Sequence, residues 1–284
     1  MKKKSGLVVL PVFLWLSLFL VVPMLIVVGI SFLRRDELGN LIYQFNWEAY
    51  ATFFDKLYLG IYWDTIVLSV LTTLICLLLS YPLAYYIARS GPRMQTWGLA
   101  LVTIPFWINF LIRTYAWVLL LRTQGIVNNL LLDLGWITEP MQMLYTKGAV
   151  LMGMVYTFIP FMVLPIYVAI EQMDKRLLEA ASDLGASPSR AFWHITLPQT
   201  KSGITTGAIL VYVSTTGMFV VTDILGGAKS SMISNIIQTQ FLGARNWPFG
   251  AALSVIFVIT SLVLIFLFNR AMTTRVDRVK EGRI

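Results

Sequence analysis

Six stretches without a single charged residue divide the chain: 6–33, 65–88, 94–112, 148–170, 202–222 and 246–269. Each is long and apolar enough for a helix rising about 1.5 Å per residue to cross a bilayer, which takes roughly 20 residues. The third continues beyond Arg113 through the apolar residues Tyr115 to Leu121, so it carries a cation near one end. Six transmembrane helices are therefore predicted, in an all-α integral membrane fold. Proline falls inside several of them, at Pro11, Pro23, Pro82, Pro105, Pro160 and Pro165. In a membrane the carbonyls that proline frees are met by neighbouring helices or by Ser and Thr hydroxyls, so kinked helices around a cavity are expected.

Composition supports this reading. Of 284 residues, 57% are hydrophobic and 13% charged, against about 25% charged in a soluble domain. The one cysteine, Cys76, lies in an apolar run, which excludes an intrachain disulfide and leaves a buried thiol. The apolar run after Lys2, Lys3 and Lys4 is too long for a cleaved signal, whose apolar part is about 7–15 residues, so it is expected to stay as the first helix. No repeat or low-complexity tract is visible, and the chain reads as one membrane domain in three parts. Residues 1–60 hold the first helix and an extracytoplasmic segment, 61–270 the core of the remaining helices, and 271–284 a basic tail.

Charge sets the orientation, because Lys and Arg gather on the cytoplasmic side. One set of loops and ends, comprising Lys2–Lys4, Arg89, Arg93, 175–201 and the tail from Arg270, holds 14 of the 22 basic residues; the opposite set holds eight. Both termini are thus expected in the cytoplasm. The net charge of +8 has membrane lipid as its nearest partner, and nucleic acid is not needed to explain it. The outward segment 34–64 is rich in aromatics, including Tyr43, Trp47, Tyr50, Tyr58, Tyr62 and Trp63. These read as headgroup-level residues or as a docking surface.

The longest inner loop, 171–203, reads as helix, turn, helix. Asp174 suits an N-cap, Leu177, Leu178, Ala181 and Leu184 share one face, and Gly185 is placed to end the first helix. Ser187 followed by Pro188 then marks the start of a second helix running through Phe192 and Trp193 toward Pro198. Within it lie Glu179-Ala180-Ala181, Gly185 after three residues, and Ile195, Leu197 and Pro198 after nine more. This pattern resembles the EAA motif of the membrane subunits of binding-protein-dependent ABC importers; an interfacial amphipathic hairpin would need no such Glu or Gly. The resemblance implies a type I ABC importer permease fold, with the loop inserted into a cleft of a cytoplasmic ATPase. Small Ala180 and Ala181 permit close approach, and Glu179 supplies a charge-assisted hydrogen bond within the loop or to the partner.

The chain has no phosphate-binding loop. Gly226-Gly227-Ala228-Lys229-Ser230 lacks a glycine before the lysine and reads as an outer turn. No cofactor is therefore expected on this chain, no enzyme activity of its own is expected, and ATP and magnesium belong to a partner ATPase. His194 has no metal-ligand or nucleophile partner at sensible spacing.

Residues 104–117 (IPFWINFLIRTYAW), 159–167 (IPFMVLPIY) and 221–252 extend the resemblance over nearly the whole chain, to permeases of spermidine/putrescine importers. That resemblance implies a second homologous permease subunit, two cytoplasmic ATPase subunits and an extracytoplasmic polyamine-binding protein. A polycation path wants carboxylates and aromatic faces. Asp223, the only acid between Asp183 and Asp277, answers that need, or else pairs with Lys229 or Arg245. Trp107, Asn109 and Tyr115 flank the break expected at Pro105 and either line the path or pack between helices. Arg113 would repel a polyamine and reads as an outer-interface anchor or as a carboxylate partner. The EAA motif alone also fits a permease for sulfate, iron or thiamine. A membrane enzyme would need convergent intramembrane polar clusters, and the sequence shows none.

Overall fold

The computed structural model describes residues 5–36, 39–174, 176–227 and 230–272. Helices dominate. In chain order they are α1 (Ser5–Ser31), α2 (Glu48–Phe53), α3 (Lys56–Arg89), α4 (Pro92–Trp107), α5 (Phe110–Leu121), α6 (Ile126–Asp133), α7 (Lys147–Glu171), α8 (Arg176–Asp183), α9 (Pro188–Ala191), α10 (Leu197–Gln199), α11 (Lys201–Thr216), α12 (Phe219–Val221), α13 (Ile233–Gln238) and α14 (Trp247–Met272). Wider π-turns cover Phe192–Thr196, Thr222–Gly226 and Thr239–Gly243. A two-strand antiparallel ribbon pairs β1 (Arg34–Arg35) with β2 (Leu41–Ile42).

Among the described residues, four unbroken helices are long and apolar enough to span a membrane, and two bent pairs bring the number to six. The predicted second crossing is longer than its charge-free stretch. The helix begins at Lys56 and runs 34 residues, about 51 Å at 1.5 Å per residue, so it overshoots a core about 30 Å thick. Proline does not set the breaks. The helices run through Pro82, Pro160 and Pro165, whereas the third crossing bends by 93° at Ile108–Asn109 and the fifth by 55° after Thr216. Asn109 explains the first bend. Its Oδ1 accepts from the Leu111 N–H at 2.9 Å, which caps a new helix instead of prolonging the old one.

Contacts divide the chain into two compact units, Met1–Tyr62 with Ile233–Val263 and Trp63–Met232 with Leu264–Ile284. In the first, Phe53, Ile233, Phe249 and Leu253 form a small core. The outward aromatics divide into packed and exposed groups. The Trp47 and Tyr50 rings lie 5.0 and 5.1 Å from that of Phe32, and Tyr58 meets Phe249 edge-on at 4.8 Å, while Tyr43 is 87% exposed.

In the second unit α7 is the central helix. Its Met154, Met162, Val163 and Ile166 are fully buried. The α3 face turned to it is small and polar: Ser69, Thr72, Cys76 and Ser80. The Cys76 thiol reaches the Val155 carbonyl at 3.7 Å and Ser80 Oγ the Ile159 carbonyl at 3.4 Å. On another side α11 approaches through Gly203 and Gly207. A Cβ on Gly203 would stand 2.5 Å from the Pro165 carbonyl oxygen, and one on Gly207 2.8 Å from the Met162 sulfur. Small residues let helix backbones approach closely where apolar burial gives no preference for protein over lipid.

Candidate functional site: the 171–203 loop and the broken helices

The loop folds as its caps require. Asp174 Oδ1 accepts from the Arg176 N–H at 3.0 Å and opens α8. Gly185 takes φ +77°, which is accessible to glycine without steric cost. The Gly185 N–H then bonds the Ser182 carbonyl and the Ala186 N–H the Ala181 carbonyl, both at 2.9 Å. These two bonds are the Schellman closure of a helix C-terminus. Ser187 Oγ accepts from the Arg190 N–H at 3.4 Å with Pro188 in the first turn, and helix continues through the π-turn at Phe192–Thr196 and α10.

The expected apolar face needs correction. Ala181 is buried and Leu178 half-buried, but Leu177 is exposed and Leu184 is 89% exposed. Leu184 lies at the C-terminal end of the helix, next to the left-handed turn that redirects the chain, and packs on nothing in the loop. Glu179 and Ala180 are exposed, Ile195 and Leu197 half-buried and Pro198 exposed. Among the described residues Glu179 makes no hydrogen bond or ion pair; Lys175, one helical turn before it, lies outside them. Trp193 is 61% exposed. His194 Nδ1 lies 3.0 Å from the Arg190 carbonyl oxygen, one helical turn back. Among the described residues no His, Cys, Asp and Glu cluster could hold a metal.

At the break between α4 and α5 the structure corrects the reading of Arg113. The side chain is 9% exposed, with no carboxylate beside it among the described residues. Its Nη1 donates to the Pro105 carbonyl at 2.8 Å, and its guanidinium carbon lies 5.8 Å from the Tyr156 ring centre and 6.0 Å from that of Phe110. A helix that stops at Trp107 leaves its last carbonyls short of amide donors; the Pro105 carbonyl accepts only from the Ile108 N–H, at 3.4 Å, and a cation there supplies a second donor and meets the helix dipole. Arg113 thus closes α4 from the first turns of α5. Sequence reasoning missed this because the bond reaches back eight residues across a bend.

A cavity of about 360 Å³ lies at that break. Phe106, Trp107, Asn109, Phe110 and Arg113 line it on one side, Thr157, Phe158, Phe161 and Met218 on the other. It brings together two of the expected path residues, Trp107 and Asn109. Trp107 is 89% exposed, while the Asn109 oxygen is engaged in its cap. Tyr115 is 57% exposed and Asp223 is exposed; neither lines the cavity. The π-turn that carries Asp223 packs against α5, which carries Tyr115. Pairing of Asp223 with Lys229 falls on a residue outside those described, as do Lys2–Lys4, Lys175 and the tail beyond Met272.

Residues 80–280 match the binding-protein-dependent transport system inner membrane component. The spermidine/putrescine transport system permease protein PotB of Haemophilus influenzae is 42% identical over 260 residues, covering 92% of this chain and 91% of that protein. PotB of Escherichia coli strain K12 is 41% identical over 257 residues, covering 90% and 94%. A crystal structure of a bacterial ABC transporter that imports the acidic polysaccharide alginate superposes with a TM-score of 0.77 at 20% identity over 94% of each chain, which shows the shared fold. The chain belongs to the family of binding-protein-dependent transport system inner membrane components and is a multi-pass membrane permease subunit of an ABC importer.

Proposed function

We propose that this permease carries polyamines, spermidine and putrescine, into the cell, drawing energy from a separate ATPase. The observation that carries the cargo assignment is identity above 40% to PotB proteins along nine-tenths of the chain. The assembly follows: a second homologous permease completes the pore, two ATPase subunits hydrolyse ATP with magnesium in the cytoplasm, and a polyamine-binding protein delivers cargo outside. The chain itself binds no cofactor and catalyses no reaction. Both termini and the 171–203 loop lie on the cytoplasmic side, in keeping with the distribution of Lys and Arg.

The loop docks on the ATPase. Its fold is held by its own caps, while Glu179, Leu184 and Trp193 are left exposed; large exposed apolar side chains beside an exposed carboxylate suit a partner cleft. Ala180 and Ala181 admit close approach, and Ile195, Leu197 and Pro198 hold the second arm. Asp223, Trp107, Asn109 and Tyr115 offer the carboxylate, amide and ring faces of the cation path, where each ring contact is worth about 0.5–2 kcal/mol.

Uptake tests the assignment. In proteoliposomes holding the complete complex, unlabelled putrescine and spermidine are expected to compete with labelled spermidine, and sulfate, ferric iron and thiamine are not; the reverse pattern sinks the polyamine reading. Replacing Glu179 with Ala, or Gly185 with Val, is expected to release the ATPase and stop uptake with membrane insertion intact. Fully coupled uptake in both variants would remove the docking role.

A further inference from the structure

The second arm of the loop meets α3 through the ring of Phe192. Phe192 presents its ring edge-on to Tyr81 at 5.6 Å and to Tyr85 at 6.2 Å, both on α3, and to Trp193 at 5.5 Å. Beside it the Tyr81 hydroxyl lies 3.0 Å from Thr200 Oγ1. Thr200 Oγ1 donates to the Thr196 carbonyl at 2.9 Å. Its single proton is thereby used, so Tyr81 is the donor in the shared bond. Thr196 and Thr200 are fully buried and Tyr81 is 9% exposed.

The backbone at this point is adapted to the contact. The helix widens to a π-turn over Phe192–Thr196 and then breaks at Thr200, whose φ is −92° and ψ 4°, before α11 begins. π-turns interrupt regular helix at a cost and concentrate at functional positions. Thr196 Oγ1, inside the turn, is buried without a hydrogen-bond partner, a further local cost. Chain connectivity alone would pass a movement of the loop to α11, leaving α3 to follow or not.

We propose that Tyr81, Phe192 and Thr200 form a joint that makes α3 move with α11 when the loop is driven. Phe192 acts as the wedge against α3, and the Tyr81–Thr200 bond fixes its register to the head of α11. All three are positioning residues; none touches cargo. The joint rests on the docking reading of the loop. An aromatic edge pair tolerates tilt and a hydrogen bond resists sliding, so the pair passes on displacement while allowing the loop to seat.

The test uses the complete complex in nanodiscs, with the only native cysteine removed by Cys76→Ala and spin labels at Tyr86→Cys on α3 and Gln172→Cys at the end of α7. Trapping with ATP and vanadate is expected to change the label distance in this parent. Tyr81→Phe, which removes only the hydroxyl, is expected to lower the shifted population about five-fold relative to the unshifted one. Phe192→Leu is expected to abolish the shift, and Phe192→Tyr to restore it. Throughout, the ATPase should co-purify as with the parent. An undiminished shift in Tyr81→Phe and Phe192→Leu overturns the joint, as does a parent with no shift. Loss of the ATPase from these variants also overturns it, since the residues would then belong to docking itself. Failure of the docking reading shows separately, as normal ATPase retention in Glu179→Ala and Gly185→Val.

Discussion

α1 and α7 are both uninterrupted, membrane-length and rich in branched apolar residues, and each carries two prolines. α1 is the more apolar of the two, yet within the chain nothing from Pro11 to Ile30 is buried, whereas most of α7 is. In water the more apolar helix would be the core. In lipid both are equally well solvated, and burial goes to the helix whose neighbours can come close. α7 meets small residues: Ser69, Thr72, Cys76 and Ser80 from α3, Gly203 and Gly207 from α11. The one glycine of α1 beyond its start, Gly29, has no atom within 4 Å of where a Cβ would stand.

Substitutions can break that contrast, and the largest effect is expected at Gly203. Gly203→Leu would drive a side chain into the Pro165 carbonyl and Ala169. Overpacking typically costs about 1–3 kcal/mol and occasionally more, and here the obstacle is backbone that cannot rotate away, so loss of folded subunit from membranes is expected on quantitative blotting. Arg113→Met is expected to cost about 1–3 kcal/mol, since the charge-assisted bond to the Pro105 carbonyl is lost and only the Ile108 N–H at 3.4 Å remains on it. Thermal unfolding of the purified subunit measures this, with Arg113→Lys intermediate because a lysine lacks the planar fork. The smallest effect belongs to α1, where Leu16→Ala is expected to change the stability of the isolated subunit by less than about 0.5 kcal/mol. A loss at Leu16 as large as that at Gly203 would mean that burial within the chain does not measure what holds these helices.

The caps of the loop were legible in the sequence because their signals are local. Asp174, Ser187 and Gly185 each act within three residues of their own position, so the caps predicted from the sequence are the caps found. The breaks in the membrane helices were less so. Proline drew attention at Pro105, but the helix passes through it, and the bend falls where Asn109 offers its side chain to a nearby amide. Arg113 misled for the opposite reason. Charge suggests an interface or a carboxylate, while its partner is a carbonyl exposed by a bend that no spacing rule foresees. Leu184 kept the right period for a packed face but lies beside the turn that leads the chain away.

The chain alone carried the number of crossings, the uneven distribution of its basic residues, and the caps of the 171–203 loop. Each depends on composition or on neighbours a few residues apart. Which helix is central, where Arg113 finds its partner, and how Phe192 meets Tyr81 were settled by tertiary structure. Lipid gives every apolar helix the same solvation, so these choices fall to close packing and to single hydrogen bonds between positions that can be more than a hundred residues apart.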